Sequence, residues 1–192
     1  LEEYAKRAGR GITAHIKIDT GLSRLGFQVS QEAAEEIAQI AKMPHIIVEG
    51  VFTHFAKSDA KDKTMAKGQM AKFQDMKRML KGCGVSIPVS HCSNSAAIID
   101  MPEANMDMVR AGIALYGLWP SEEVQKGNLD LQPALSLKSC IVFLKELEQG
   151  RAISYGATYE TKTNQRIATV PVGYGDGYPR SLSNKGYVLV HG

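Results

Sequence analysis

Three cysteines in 192 residues, widely scattered, make neither a disulfide framework nor a zinc knuckle, and a reducing, cytoplasmic compartment is the simplest setting for them. Charge of one sign is also missing. The 23 basic and 20 acidic side chains leave a net +3, too little to steer nucleic acid or anionic lipid. No apolar run reaches the ~18 residues of a membrane span, and no signal-peptide pattern opens the chain, so no membrane contact is expected of this segment. The dinucleotide-binding glycine fingerprint, the Walker lysine loop and the HExxH metal motif are absent as well. The first residue is leucine rather than methionine, and missing sequence upstream is expected. Against these absences stands a hydrophobic content of 44%, enough for a core and too apolar for wholesale disorder.

The first half repeats one grammar. Ile12 to Ile18 is a short β-branched run punctuated by Asp19, Thr20 and Gly21. Ser30 caps an expected helix to about Met43, with Ala33, Ala34, Ile37, Ile40 and Ala41 inward and Pro44 closing it. A second strand, Ile46 to Phe52, ends at Thr53, His54 and Phe55. Lys61 to Leu80 reads as a long helix with Met65, Met70, Phe73, Met76 and Leu80 inward, methionines at that spacing being core filler. A third strand (Ser86 to Val89) leads to His91–Ser95 and a short helix, and a fourth (Asn105 to Val109) leads to Arg110–Ile113. Parallel strands covered by helices follow from this order. Polar residues crowd the carboxyl ends of the strands, as on the active face of an α/β (TIM-type) barrel, and four units make half of one, over residues 1–120. A polar linker (121–130) precedes a change of texture. Short runs at Leu135–Leu144, Ala152–Tyr159, Ile167–Val172 and Tyr187–Val190, without helices between them, predict the first part of an antiparallel β domain over 131–192. Both ends of the chain look cut.

The GYGDG stretch at Gly173–Gly177 lacks the strand-to-helix context of a phosphate loop. Ser95 with Gly112 and Ile113 is the better anion site, because a helix start and a side-chain-free backbone would meet at adjacent strand ends, with Asn94 beside them. Ser95 as a mere cap and Gly112 as a mere turn is the bland alternative. Arg24 and Arg110 offer rigid donor forks for a carboxylate, a phenolate or a ring nitrogen. His54 and His91 fit either a flat ligand or a hydrogen-bonded core. Lys17 lies inside the first strand, where an ammonium needs a partner such as Asp19.

HIKIDTGLSRLGF (His15 to Phe27), EGVFTHFAKSD (Glu49 to Asp59), HCSNSAA (His91 to Ala97), VRAGIALYG (Val109 to Gly117), ISYGATY (Ile153 to Tyr159) and VPVGYGDGYPR (Val170 to Arg180) resemble, in order, the alanine racemase family. The resemblance implies pyridoxal 5'-phosphate on a barrel, a following β domain, and a homodimer whose active sites are shared across the interface. It implies interconversion of L- and D-alanine by two-base proton transfer, for D-alanine supply to the cell wall. It also implies roles: Arg110 at the pyridine nitrogen, His91 behind it, His54 against the cofactor ring, and Ser95, Asn94, Gly112 and Ile113 around the phosphate. Arg24 would stand near the phenolate and the substrate carboxylate, held by Lys17 if that lysine is carbamylated. Tyr155 would be the base for the L isomer, and Tyr174 would line the entrance. The cofactor-anchoring lysine of the family lies in a first-strand segment that has no counterpart here, so the fragment alone is expected to be inactive. The racemase domain of membrane-tethered serine/alanine racemases is similar too, which leaves serine as an alternative substrate. A non-catalytic pyridoxal-phosphate-binding or scaffold relative is the third reading. No metal is implied.

Overall fold

Apolar residues two apart in a strand share a face, and this alternation organises the first part of the molecule. The computed structural model describes residues Leu1–Val190; His191 and Gly192 lie outside the described residues. In chain order the elements are α1 (Glu2–Arg7), β1 (Ile12–Asp19), β2 (Phe27–Gln28), α2 (Gln31–Ile40), β3 (Ile46–Phe52), α3 (Thr64–Gly82), β4 (Val89–His91) and α4 (Ser95–Asp100). The strands form one parallel sheet in the order β2-β1-β3-β4. Ile16, Ile18 and Val51 are buried in one cluster with Ala33, Ala34 and Ile37 of α2 and Phe73, Met76 and Leu80 of α3. Burying each large apolar side chain contributes roughly 1.5–3 kcal/mol. The other face of the strands carries His15, Lys17, Phe52 and His91.

Local chemistry accounts for the helix limits. The Ser30 hydroxyl accepts from the Ala33 amide at 3.1 Å and starts α2 as expected. Asp62 accepts from both the amide and the hydroxyl of Thr64, which starts α3 three residues later than the apolar pattern suggested. Met65 is 46% exposed rather than inward, because it stands in the first turn of α3, ahead of the buried stripe. The fourth expected strand, Asn105 to Val109, does not form. Only scattered amides there reach the preceding strand end, Asp107 to the Ser90 carbonyl and Arg110 to the Ser93 carbonyl. The fourth strand of the sheet is instead the two-residue β2, held parallel to the end of β1.

The chain divides into two compact units, Leu1–Leu135 and Ser136–Gly192. In the second, β5 (Phe143–Leu147) pairs antiparallel with β8 (Gln165–Thr169), and β6 (Ala152–Ile153) pairs with β7 (Tyr159–Glu160). Thr161, buried between them, accepts from the Arg151 amide and donates to the Glu148 carbonyl. Tyr187–Val190 is not a strand. It has no pairing partner among the described residues, and its side chains are exposed. Also among the described residues, no helix is long and apolar enough to cross a membrane, and no group of three or more His, Cys, Asp or Glu side chains could hold a metal ion.

Candidate active site

A cavity of about 360 Å³ opens at the carboxyl ends of the strands, lined by His54, Asn94, Ser95, Arg110, Gly112 and Ile113 among others. Its size suits a small molecule or cofactor, for which ~300–1,000 Å³ is usual. One wall is an anion cradle. The Ser95 hydroxyl oxygen accepts from the amides of Gly112 (2.9 Å) and Ala114 (3.2 Å), so its own proton remains to be given away. Between those two amides, the N–H of Ile113 makes no hydrogen bond among the described residues. Two unsatisfied donors therefore meet at the first turn of α4 and at the start of the 3-10 turn Ile113–Tyr116. The cap of α4 is Asn94 rather than Ser95. Its Oδ1 accepts from the Ala97 amide (3.1 Å) and the Ser58 hydroxyl (2.8 Å). The Ser58 carbonyl in turn takes the Lys63 ammonium, which also pairs with buried Asp100 at 2.7 Å.

The opposite wall is Arg110. One terminal nitrogen donates to Nδ1 of His91, and the other is bonded to the Thr53 carbonyl (2.7 Å), the Cys92 carbonyl (3.2 Å) and Nδ1 of His54 (3.2 Å). The guanidinium also lies over the Phe52 ring, 5.2 Å from its centre, and that ring stacks on His91. Of five guanidinium protons, those not spent on these partners remain for a ligand in the cavity.

Arginine can only donate, and that fixes every proton behind it. His91 must accept at Nδ1, so neutral His91 carries its proton on Nε2 and donates to Nδ1 of His15 at 2.7 Å. His15 then presents Nε2–H to the Glu49 carboxylate at 3.0 Å. His15 and His91 stand on β1 and β4 and meet across β3 because Gly50 lies between them. A Cβ at Gly50 would come within 2.6 Å of the Val89 carbonyl oxygen and 2.8 Å of His15 Nδ1. The β1–β3 pairing slips by one residue here, from Ala14↔Val48 to His15↔Gly50, which leaves Glu49 as the bulged residue.

Burial, then the Arg110 charge and His15, push His91 down to about 4. Unfolded imidazole binds a proton below about pH 6.5, whereas folded His91 does not until about 4. The unfolded chain thus holds more protons across that window, and the fold loses stability as pH falls through it. The loss is at most ~3 kcal/mol. Urea midpoints measured from about pH 7 down to about pH 4.5 are expected to fall more steeply for the wild type than for His91→Asn. Parallel profiles would contradict the assignment.

His54 is likewise held below the ordinary imidazole range, by burial first and then by Arg110, Arg24 and Lys17. Lys17 is 7% exposed, and its ammonium donates to the Ile18 carbonyl at 2.9 Å rather than forming an ion pair with Asp19. Burial lowers its pKa, with Arg24 and Arg110 adding to the effect and Asp19 opposing it. Asp19 instead accepts from the amides of Gly21 and Ser23, which shapes the turn that carries exposed Arg24. Ser95, Asn94, Gly112, Ile113, Arg110 and His54 thus line one cavity, and His91 stands directly behind Arg110. Tyr155 and Tyr174 belong to the second unit and are 92% and 69% exposed. Sequence reasoning gave no role to His15, Glu49, Gly50 or Phe52. The available signal was a row of polar residues inside otherwise apolar strands.

The family model for the N-terminal domain of alanine racemase matches residues 1–120, and that for its C-terminal domain matches residues 134–192. The alanine racemase of Clostridium perfringens is 46% identical over all 192 residues, which are 50% of that protein. Among solved structures, alanine racemase of Clostridium difficile 630 is 46% identical with a TM-score of 0.84, over 93% of this chain and 47% of that one. Alanine racemase from Streptomyces coelicolor A3(2) superimposes with a TM-score of 0.89 at 34% identity, over 100% of this chain and 51% of that one. The chain spans about half the length of the curated relatives it matches. With both domain models matched in order along a sheet, a cavity and a β unit of the corresponding kind, this chain belongs to the alanine racemase family.

Proposed function

We propose that this chain supplies the phosphate cradle, the pyridine-side arginine and one proton-transfer group of a pyridoxal-phosphate-dependent racemase that interconverts L- and D-alanine and so provides D-alanine for cell-wall synthesis. The observation that carries this reading is the pair of unsatisfied donors, Ser95 hydroxyl and Ile113 amide, facing the same cavity as the half-buried Arg110 fork. A phosphate fits the first and an aromatic ring nitrogen fits the second, which are the two ends of the family's cofactor. Bound there, pyridoxal phosphate supplies the electron sink that acidifies the substrate Cα–H.

The chain's own residues do the rest. Gly112 lets the anion approach the backbone, and Asn94 holds the start of α4 in place. Arg110 keeps a cation where the ring nitrogen would otherwise be protonated, which tempers the sink and limits side reactions. His54 packs on the ring, and burial, with Arg110 adding to it, favours its neutral form, so its Nδ1 can accept from Arg110. Arg24 binds the substrate carboxylate, and Lys17, whose amine is biased towards its neutral and nucleophilic form, is the site at which a carbamate would hold Arg24. Tyr155 removes or returns the Cα proton on the L face, and Tyr174 borders the substrate path. Racemisation needs a second base on the opposite face, which the family places on a lysine beyond this segment. Two copies of the complete protein form the working dimer.

The test is the visible spectrum of the complete enzyme before and after borohydride, followed by turnover of alanine and of serine. A cofactor band fixed by reduction, with alanine preferred, is the expected result. If no band develops after adding pyridoxal phosphate, the racemase reading fails and the motifs mark a silent relative. Preference for serine would move the substrate while leaving the chemistry.

A further inference from the structure

Gln69 on α3 is 3% exposed, and its amide is satisfied on both sides. Oε1 accepts from the Ala56 amide at 2.8 Å, while Nε2 donates to the His54 carbonyl at 3.1 Å and to the Thr20 hydroxyl at 3.2 Å. The orientation is unambiguous, since the Ala56 N–H can only donate and the His54 carbonyl can only accept. β3 ends at Phe52, so the backbone at His54–Ala56 has left the sheet. The Gln69 amide meets the carbonyl of one residue and the N–H two residues later, as a neighbouring parallel strand would. Phe55, between them, is 2% exposed and anchored in the core. The Thr20 hydroxyl continues to the Thr53 hydroxyl at 2.7 Å, and the Thr53 carbonyl receives Arg110.

We propose that Gln69 is a positioning residue for the active site: its side-chain amide substitutes for a missing strand and holds the His54 backbone, and through Thr20 and Thr53 the Arg110 fork, in register with the cavity. The role of His54 in this proposal rests on the cavity being the pyridoxal phosphate site. Such a residue touches no ligand, yet small displacements of a catalytic group reduce rate steeply, about 100-fold for ~1 Å. The groups that face the His54 ring are Arg110, at 3.2 Å from Nδ1, and the charges of Arg24 and Lys17 beyond it; Asp59 lines the same cavity.

The experiment compares the complete enzyme with its Gln69→Met and Thr20→Val variants. The first keeps the shape of the side chain without its hydrogen bonds. The second removes one of the three Gln69 contacts together with the Thr20–Thr53 hydroxyl bond, leaves the two backbone contacts of Gln69 in place, and is the milder change should the first fail to fold. His54 is titrated by ring NMR, and kcat and KM for alanine are measured separately. We expect the His54 pKa to rise towards the ordinary imidazole value as the ring moves away from Arg110. We also expect kcat to fall by about tenfold with KM nearly unchanged, Thr20→Val moving both in the same direction by less. An unchanged His54 titration, with only a lower melting temperature, would reduce Gln69 to a strut of the fold and overturn the proposal. The NMR comparison needs no turnover, so an enzyme that fails to racemise would sink the functional reading while still deciding the role of Gln69.

Discussion

Arg110→Met is expected to lower kcat/KM for alanine by about 10²–10³-fold, the cost of deleting a preorganised donor aimed at developing charge. The substitution removes more than a cation. It leaves Nδ1 of His91 and the carbonyls of Thr53 and Cys92 without their donor, and each buried orphan costs about 1–3 kcal/mol. Activity and stability should therefore fall together, and Arg110→Lys separates them. Lysine restores the charge without the fork, so it is expected to recover most of the solubility and fold but little of the rate. Steady-state kinetics beside a melting curve for both variants checks this. Wild-type kcat/KM in Arg110→Lys would mean that charge alone matters and that the fork geometry is incidental.

The second large effect is at Tyr155, and there stability should not move. Its side chain is 92% exposed, so Tyr155→Phe is expected to change unfolding free energy by less than about 0.5 kcal/mol. Racemisation should nevertheless fall by about 10²–10⁴-fold, the usual worth of a positioned proton-transfer group. The loss should be one-sided. Solvent deuterium would cease to exchange into the Cα of L-alanine while still exchanging into D-alanine through the opposite base. Equal loss from both isomers would remove Tyr155 from the chemistry. Ser154 (φ 61°) and Ala157 (φ 49°) flank it with positive φ, which non-glycine residues rarely adopt.

The parts of the structure that one sequence window determines were legible in it. Ile12–Ile18 and Ile46–Phe52 are strands because their β-branched residues pack on helices whose caps, such as Ser30, are written beside them. What failed was whatever depends on pairing. Asn105–Val109 and Tyr187–Val190 have the composition of strands, yet a strand exists only where another backbone takes up its amides. The two-residue β2 has too little pattern to be seen and exists because β1 offers it an edge. The site divided in the same way. Ser95, Arg110 and His54 stand at strand ends and were visible by type and position. Glu49 and His15 became significant only with the bulge that aligns His15 with Gly50, and Gln69 looked like one more polar residue on a helix. Asp19 is only one of the partners that the sequence offers Lys17, and its ammonium takes the carbonyl of the next residue, Ile18, instead.

Gly50 makes the row from Glu49 to Arg110 a gauge of correct assembly. The row crosses three strands, and each donor finds its acceptor only in the pairing His15↔Gly50↔Val89. A slip of one residue would exchange the faces of every side chain along these strands. A slipped chain would bury two imidazoles and a guanidinium against mismatched neighbours. The same contacts that hold the Arg110 guanidinium at the cavity therefore penalise misassembled sheets.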